Sequence, residues 1–297
     1  MDEAIRKADV LIEALPYIRR FHNKIVVIKY GGSVYGQEKL LDNILTDVVF
    51  MAQVGMCPIL VHGGGKEITD EMARRGKKPA FNRGVRVTDE ETLRIAADVL
   101  IDKISAALVE KIARLGGKAA AMNGRDNHFL RARKKPVGAA PNDVDLGFVG
   151  EVIGVNGQAA FDAWWGETIP VVAPIAVGED ERLYNVNADA AAAAIAKYLG
   201  AVKLVFISDV EGILADPDDR KTKYSSLTAD DIERLIADGT ITGGMIPKVE
   251  ALVDAVDAGV RKAHVVSAEV PHALLLEIFT DTGIGTEILR RNGRAAT

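Results

Sequence analysis

The sequence predicts an α/β fold, a three-layer α/β/α sandwich around a mainly parallel central sheet. Continuous apolar, β-branched runs recur along the chain, and such runs are typical of strands that are buried on both faces. Stretches with helical periodicity lie between them. Strands that alternate with helices in this way indicate a parallel sheet with helices packed on both sides.

The first half of the chain opens with a predicted helix over residues 2–20, whose apolar residues form one stripe. The elements that follow are the strand Lys24–Lys29, a helix over Glu38–Val54, the strand Pro58–His62, a helix that begins near Lys66, a helix from Asp89 to about Leu115, and the strand Lys118–Met122. Residues 124–154 are rich in Gly, Pro and β-type residues, and the basic run Arg131–Lys135 favours a solvated hairpin edge.

The second half continues the same alternation. Its predicted elements are the strand Ile169–Val172, an alanine-rich helix that ends at Leu199, the strand Lys203–Ser208, helices over Ala229–Asp238 and Pro247–Ala258, the strand Ala263–Val266 and a helix over His272–Phe279. We expect two lobes, residues 1–184 and 185–297, that share a continuous sheet.

The composition is that of an ordinary globular protein, with 48% hydrophobic and 27% charged residues among 297. A net charge of −5 gives no support to a nucleic-acid surface. The single cysteine, Cys57, excludes an intramolecular disulfide framework and a cysteine-based zinc site. No apolar run approaches a membrane span, and the acidic start is unlike a signal peptide. We therefore expect a cytoplasmic protein without a nucleic-acid partner, a membrane partner or a metal site of its own.

Two glycine clusters follow directly on buried strands, Gly31-Gly32 after the first and Gly63-Gly64-Gly65 after the second. Glycines let an anion approach backbone N–H groups closely, and the second cluster also opens a helix, whose N-terminus favours negative charge. One cluster alone would be a tight turn. Two clusters at the carboxyl ends of successive parallel strands favour an anion site.

Two lysines strengthen this interpretation. Lys29 ends an apolar strand just before the first glycine cluster, and Lys248 lies in the first turn of a predicted helix, where the helix dipole disfavours a cation. A strand-end lysine is more often a surface residue, but both positions are easier to understand if the ammonium groups face an anion. The P-loop and the Gly-x-Gly-x-x-Gly sequence are absent, so a dinucleotide oxidoreductase loses its main support.

The chain resembles the amino acid kinase family over nearly its whole length. The segments that carry the resemblance are Lys29-Tyr30-Gly31-Gly32, Val61-His62-Gly63-Gly64-Gly65, Gly84-Val85-Arg86-Val87-Thr88-Asp89, Leu146-Gly147-Phe148-Val149-Gly150, Tyr184-Asn185-Val186-Asn187-Ala188-Asp189, Ser208-Asp209-Val210-Glu211-Gly212 and Gly243-Gly244-Met245-Ile246-Pro247-Lys248. Their order and spacing are specific for the family. Arg86 together with Asn185 favours the branch that phosphorylates N-acetyl-L-glutamate.

The resemblance implies the family's fold, with an acyl-amino-acid lobe before residue 185 and a nucleotide lobe after it, and it implies ATP with Mg²⁺. Lys29 and Lys248 would stabilise the transferring phosphoryl group, and Asp189 would hold both lysines. The substrate would be bound by Gly64, Gly65, Arg86 and Asn185, and phosphate or nucleotide by Gly31, Gly32, Ser208, Asp209 and Gly212. The nucleophile would be a carboxylate that is already ionised at pH 7, so no general base is required.

Each of these residues also has a plainer interpretation. Asp189 could cap the alanine-rich helix, Arg86 could pair with Asp89 or Glu90, and Asn185 could be a turn residue. The chain also departs from the family where Ser33-Val34-Tyr35 follows the first motif and Lys66-Glu67 follows the glycine triplet. A kinase of another acylated acidic amino acid, such as an aminoadipate derivative, is therefore an alternative. A non-catalytic amino-acid sensor on the same fold is a second alternative.

The N-terminal helix resembles that of arginine-inhibited hexameric relatives, and residues 272–286 resemble their arginine-sensing region. The resemblance implies L-arginine as a feedback inhibitor, with His272, Glu277 and Gly285 as regulatory residues. It also implies a homo-oligomer, a dimer or a hexamer, in which the N-terminal helix pairs with that of another subunit. From the sequence, a helix folded back onto its own domain is nearly as plausible.

Overall fold

The computed structural model describes residues 1–31, 36–137, 144–280 and 283–291. Within these residues the helices are α1 (Asp2–Phe21), α2 (Glu38–Gln53), α3 (Gly65–Arg74), α4 (Glu90–Ala97), α5 (Ala106–Arg114), α6 (Gly157–Trp165), α7 (Ala188–Tyr198), α8 (Ala229–Ala237), α9 (Ile246–Asp257) and α10 (Ala273–Ile278). A π-helical segment, Asp98–Ser105, joins α4 to α5, so the long predicted helix is continuous but has a wider middle.

Within the same residues the strands are β1 (Ile25–Tyr30), β2 (Cys57–His62), β3 (Phe81–Asn82), β4 (Val85–Arg86), β5 (Lys118–Met122), β6 (Leu130–Lys134), β7 (Gly150–Val155), β8 (Thr168–Val172), β9 (Ile175–Gly178), β10 (Leu183–Asn185), β11 (Lys203–Ser208), β12 (Ser226–Thr228), β13 (Lys262–Ser267) and β14 (Thr286–Leu289). The six predicted strands are found close to their expected positions as β1, β2, β5, β8, β11 and β13, and the other strands were not predicted individually.

An eight-stranded sheet forms the middle of the molecule, in the order β12-β14-β13-β11-β1-β2-β8-β5. Its pairs are parallel except for β13 with β14. The two predicted halves of the chain meet where β1 pairs with β11, so both contribute strands to one sheet. The division into lobes at residue 184 stays a prediction.

Alternating side chains of this sheet enter two separate hydrophobic cores. Val27 packs into one core with the alanines of α7 and with α9, whereas Val26 and Ile28 pack into the other core with α2, the π-helical segment and α10. Strands that are apolar on both faces therefore have helices on both sides, as their continuous apolar sequences require. The predicted three-layer α/β/α architecture is confirmed.

The middle of the chain forms a second sheet, in the order β10-β9-β6-β7. The expectation that Arg131–Lys135 lies at a hairpin edge is wrong, because β6 pairs with β7 on one side and with β9 on the other. The basic side chains are nevertheless solvated: Arg131, Arg133 and Lys134 are exposed, while Ala132 between them is buried.

Helix α1 stands apart from both cores along most of its length. Its apolar residues Ile5, Val10, Leu11 and Ile12 are more than half exposed. Pro16 lies inside the helix and does not end it. In the described part of the chain, no helix combines the length and the apolar composition that crossing a membrane requires.

Candidate active site

The carboxyl ends of β1 and β2 lie side by side, since Tyr30 pairs with His62 in the parallel ladder. Gly31 follows β1 and the glycine triplet follows β2, so both predicted glycine clusters begin at the same edge of the sheet. A cavity of about 230 Å³ opens there. Seven of the predicted site residues line it: Lys29, Gly31, Gly64, Gly65, Arg86, Asn185 and Asp189. Gly32 lies outside the described residues.

One carboxylate joins the two predicted lysines. Lys29 Nζ lies 2.6 Å from Asp189 Oδ1, and Lys248 Nζ lies 3.6 Å from Asp189 Oδ2. Burial lowers the pKa of Lys29, and the charge of Lys248 lowers it further, while Asp189 acts in the opposite direction. Two cations that share one anion leave the group with a net positive charge, which suits an incoming phosphate.

The local sequence explains why Asp189 is available for this role. The side chain of Asn187 caps α7 by accepting hydrogen bonds from the backbone N–H groups of Asp189 and Ala190. The interpretation of Asp189 as the helix cap is therefore wrong, because Asn187 has that role. Asp189 instead lies in the first turn, where the helix dipole favours a carboxylate, and is directed at the lysines.

Lys248 lies in the first turn of α9, directly after Pro247. Proline fits this turn because its missing N–H would have no intrahelical partner there. The helix dipole disfavours Lys248 at this position, and Asp189 offsets part of that cost. The side chain is about a quarter exposed, so its ammonium group is open to a ligand in the cleft.

Arg86 is buried without a carboxylate partner among the residues described here. Its Nη2 donates to the carbonyl oxygen of Gly65 and to Thr69 Oγ1, both at 2.8 Å. The guanidinium carbon lies 4.7 Å from the centre of the Phe81 ring, and burial lowers the pKa of Arg86. The expected surface pairing with Asp89 is not found, because Asp89 pairs with Lys77. A buried guanidinium without a counterion has the charge and the donor geometry that suit a carboxylate.

Asn185 ends β10 and also lines the cavity. Its Nδ2 donates to Thr88 Oγ1 at 3.3 Å, and its backbone N–H donates to the carbonyl oxygen of Phe148. These bonds fix the side chain where it lines the cavity together with Arg86.

The predicted nucleotide residues lie at the carboxyl end of β11, on the other side of β1. Ser208 ends the strand, and its hydroxyl donates to Asp209 Oδ1 at 3.0 Å. Gly212 has a φ of 144°, and a Cβ there would lie 2.5 Å from Thr286 Oγ1, so a side chain would clash. These three residues do not line the 230 Å³ cavity. This edge of the sheet thus has a β2 side, where Arg86 lines the cavity, and a β11 side, where Ser208 ends its strand outside the cavity.

A second cavity of about 320 Å³ lies near the amino ends of β11 and β13 and includes the predicted regulatory residues Glu277 and Gly285. Glu277 Oε2 accepts hydrogen bonds from the N–H groups of Ile284 and Gly285, and Oε1 lies 2.7 Å from His264 Nδ1. Although burial acts against it, these contacts lower the pKa of Glu277 to about 2. Lys203 Nζ donates to the carbonyl oxygen of Glu277 at 3.1 Å, and burial lowers the pKa of Lys203 to about 8.

The third predicted regulatory residue, His272, does not reach this cavity. Its Nδ1 lies 2.6 Å from Asp47 Oδ1 on α2. Sequence reasoning missed Lys203 and His264, although each is a buried polar residue next to apolar residues of its strand, as Lys29 is.

Comparison with known proteins agrees with this geometry. A family model described as the amino acid kinase family matches residues 24–267. The chain is 47% identical over 285 residues to an acetylglutamate kinase of Methanothrix thermoacetophila, which covers 96% of this chain and 99% of the relative. It is 48% identical over 288 residues to an acetylglutamate kinase of Pelotomaculum thermopropionicum, with 95% and 97% covered.

Solved structures are similar as well. N-acetylglutamate synthase of Neisseria gonorrhoeae, complexed with coenzyme A and N-acetyl-glutamate, has a TM-score of 0.78 at 25% identity. The match covers 94% of this chain and 62% of the synthase. Carbamate kinase of Giardia lamblia bound to AMP-PNP has a TM-score of 0.63 at 17% identity over 90% of this chain and 99% of the kinase, a likeness that concerns the fold. The resemblance drawn from the motifs is confirmed, and the chain belongs to the amino acid kinase family.

Proposed function

We propose that this chain transfers the γ-phosphoryl group of ATP to the γ-carboxylate of N-acetyl-L-glutamate, a step of arginine biosynthesis that would take place in the cytoplasm. The observation that carries the proposal is the Asp189 carboxylate between Lys29 and Lys248, at a cleft whose other wall holds Arg86. Relatives at 47–48% identity named acetylglutamate kinase support the choice of substrate.

The chemistry needs alignment and charge neutralisation more than proton transfer. An ionised carboxylate attacks phosphorus directly, and the bond from phosphorus to the leaving oxygen of ADP breaks, so no proton has to be moved. Lys29 and Lys248 would neutralise charge on the transferring phosphoryl group and on the leaving oxygen. Asp189 would keep Lys29 charged in its buried position, because the carboxylate acts against the fall in the pKa of Lys29.

The substrate is expected on the β2 side of the cleft. Arg86 would bind the α-carboxylate, for which its buried guanidinium has no competing acid in the described part of the protein, and Asn185 would bind the α-carboxylate or the acetamido group. The backbone N–H groups of Gly64 and Gly65 would lie near the reacting carboxylate and phosphate at the start of α3.

The nucleotide is expected on the β11 side, beside Ser208, Asp209 and Gly212, with its phosphates directed toward Gly31 and the lysines. The cations and the glycine backbone at this edge fit a polyphosphate. Mg²⁺ usually enters such sites on the nucleotide, keeps several waters and neutralises phosphate charge.

The test is to trap the acyl phosphate with hydroxylamine while MgATP and a panel of acids are supplied. The panel contains N-acetyl-L-glutamate, N-acetyl-L-aspartate, N-acetyl-L-2-aminoadipate and free L-glutamate. We expect turnover with N-acetyl-L-glutamate, little with the others, and a loss of about 10²–10³-fold or more in Lys29→Ala. Lys24→Ala, an exposed lysine just before the same strand, is the matched control and should behave as wild type.

Turnover only with the aminoadipate derivative or with free glutamate would show that the substrate assignment is wrong. Wild-type activity in Lys29→Ala would overturn the site itself. Binding of N-acetyl-L-glutamate without turnover under all conditions would favour the sensor, although a buried lysine held by a buried carboxylate gives a sensor no evident advantage.

We also infer that the 320 Å³ cavity binds L-arginine as a feedback inhibitor. The ionised Glu277 carboxylate would bind the guanidinium group, while Arg20, Lys203 and Lys262 surround the cavity with cations for the α-carboxylate. L-Citrulline, which has the same shape without the guanidinium charge, is the control ligand in calorimetry. Equal affinity for the two ligands, or none for either, would contradict the inference.

Helix α1 contributes Tyr17 and Arg20 to this cavity and exposes apolar residues nearer its amino end, including Ile5, Val10 and Leu11. We expect that end to pair with α1 of another subunit in a homo-oligomer. Deletion of residues 2–20 should reduce both the sedimentation coefficient and the response to arginine. If both stay unchanged, α1 has neither role.

A further inference from the structure

The imidazole of His62 lies fully buried between the glycine triplet and the π-helical segment. Its Nδ1 lies 2.9 Å from the carbonyl oxygen of Gly63, and its Nε2 lies 2.8 Å from the hydroxyl oxygen of Ser105. A carbonyl oxygen only accepts hydrogen bonds, so Nδ1 carries the proton and Nε2 accepts from Ser105. Burial lowers the pKa of His62 to about 4, and the ring is therefore neutral in this one tautomer at pH 7.

This arrangement fixes the peptide unit between Gly63 and Gly64. In a trans peptide the C=O and N–H groups point in opposite directions, and no peptide bond in the described residues is cis. With the Gly63 carbonyl held by His62, the N–H of Gly64 points away from the ring. Gly64 lines the active-site cavity whereas His62 does not, and this N–H donates to no acceptor in the described part of the chain.

The π-helical segment supports the same loop from behind. A Cβ on Gly64 would lie 2.5 Å from Leu100 Cδ2 and 2.7 Å from Ile104 Cδ1, so both side chains pack directly on this glycine. Ser105 comes five residues after Leu100. In a π-helix residue i+5 lies close to residue i, whereas in an α-helix it is rotated by about 140° around the helix axis. The π geometry therefore brings the Leu100, Ile104 and Ser105 side chains to one face.

We propose that His62 and Ser105 are positioning residues for phosphoryl transfer, which hold the Gly63–Gly64 peptide so that its N–H faces the transferring group. The inference rests on the proposed role of Gly64 at the phosphate. Neither side chain touches a substrate. Because a preorganised donor acts most strongly on the charge of the transition state, the effect of losing it falls on kcat more than on KM.

Three variants separate the two hydrogen bonds. Ser105→Ala removes the hydroxyl group, His62→Gln places an amide near the position of Nε2 and loses the Nδ1 donor, and His62→Asn keeps an N–H donor near the position of Nδ1. We expect kcat to fall about tenfold in His62→Gln, which loses the hydrogen bond to Gly63, and about threefold in Ser105→Ala and His62→Asn, which keep that bond and lose only the one between residues 62 and 105, with KM for both substrates within about twofold of wild type. The affinity for MgADP, aluminium fluoride and N-acetyl-L-glutamate together should fall by the same factor as kcat.

The controls distinguish this inference from the function on which it rests. If Lys29→Ala is inactive while Ser105→Ala and His62→Gln keep wild-type kcat, only the positioning role is wrong. If Lys29→Ala is fully active, the proposed function itself is wrong. A loss in His62→Asn as large as in His62→Gln, or a loss confined to KM, assigns His62 a purely structural role and overturns the proposal. Ser105→Ala deletes a single oxygen atom, and it keeps the test available if a His62 variant does not fold.

Discussion

The opposite ends of two adjacent strands carry two buried lysines in contrasting surroundings. Lys29, near the carboxyl end of β1, is held by the carboxylate of Asp189, whereas Lys203, at the amino end of β11, is held by a backbone carbonyl oxygen. Burial lowers the pKa of both lysines. A carboxylate keeps an ammonium group charged in a buried site, and a carbonyl oxygen does so less well. Asp189 therefore opposes the loss of the Lys29 proton through a direct ion pair, whereas Lys203, with a pKa of about 8, is close to losing its proton.

The acidic residues of the two sites, Asp189 and Glu277, also differ in the groups that surround them. Asp189 is engaged by two lysines, while Glu277 receives only neutral backbone N–H groups and the buried His264 in the described structure. The cleft therefore presents net positive charge to a phosphate, and the second cavity presents an ionised acid to a cationic ligand. Since a strand of six residues spans about 20 Å, substitutions at one end should leave contacts at the other intact.

The largest expected effect is that of Asp189→Asn. With the carboxylate charge gone, kcat should fall about 10²–10³-fold, because neither lysine keeps its counterion. Asp189 raises the pKa of Lys29, so its loss lowers that pKa further, and the high-pH limb of the kcat profile should move to lower pH. Steady-state kinetics between pH 6 and pH 10 measure both effects.

Asp230→Asn is the matched control, because Asp230 occupies the same second position of its helix but is exposed. It should leave kcat unchanged. Arginine binding to Asp189→Asn, measured by calorimetry, should equal that of wild type. A lost arginine site in this variant would show that the two ends of the sheet are not independent.

A smaller effect is expected for Arg86→Lys. The guanidinium fork is replaced by a point charge, so KM for N-acetyl-L-glutamate should rise about 10–100-fold while kcat changes less. Arg83→Lys, in the same hairpin but exposed, is the control for general damage to this segment. A fall in kcat with KM unchanged would place Arg86 at the phosphoryl group instead of at the substrate carboxylate.

The difference between the two sites also explains what the sequence could and could not predict. The cleft follows from a general rule, that ligands of parallel sheets bind at the carboxyl ends of strands, so the glycines and Lys29 could be found by inspection. Lys248 is notable from its place in a first helical turn, but Asp189 and its position between the two lysines needed the family resemblance, because the residues come from helices far apart in the chain.

No comparable rule predicts the position of the second cavity. It is assembled from α1, four strands, α10 and the segment after α10, and nothing in the sequence brings Lys203, His264 and Glu277 together. A lysine that opens a strand is typical of a surface residue, so the sequence does not single out Lys203, and His272 was named only because its segment resembles the arginine-sensing region of relatives. The sequence also did not predict the π-helical segment, because a long amphipathic pattern does not reveal where an extra residue enters a helical turn.

Glu277→Gln tests the second site alone. The variant keeps the shape of the side chain but loses the charge, so arginine affinity should fall about tenfold, while kcat without arginine should stay at the wild-type value. The inhibition constant and a calorimetric titration measure the change. Glu287→Gln, on the neighbouring strand and paired with Lys262, is the control for loss of charge near the cavity. Unchanged inhibition in Glu277→Gln would mean that arginine does not use this carboxylate.

The smallest expected effect concerns stability at Lys203 and tests the contrast between the two lysines directly. The pKa of Lys203 is about 8 in the folded protein and about 10.5 when unfolded. Between these values the unfolded chain binds more protons than the folded protein, so the free energy of unfolding should rise with pH, by about 1 kcal/mol from pH 8 to pH 9 for this group.

Lys203→Met should lack that increment, whereas the exposed-site control Lys24→Met should keep it. Urea unfolding at fixed protein concentration measures the difference, and because Lys29 is unchanged in all three proteins its own titration cancels. Parallel curves for wild type and Lys203→Met would show that Lys203 titrates normally, and the distinction between a carboxylate-held and a carbonyl-held lysine would then be lost.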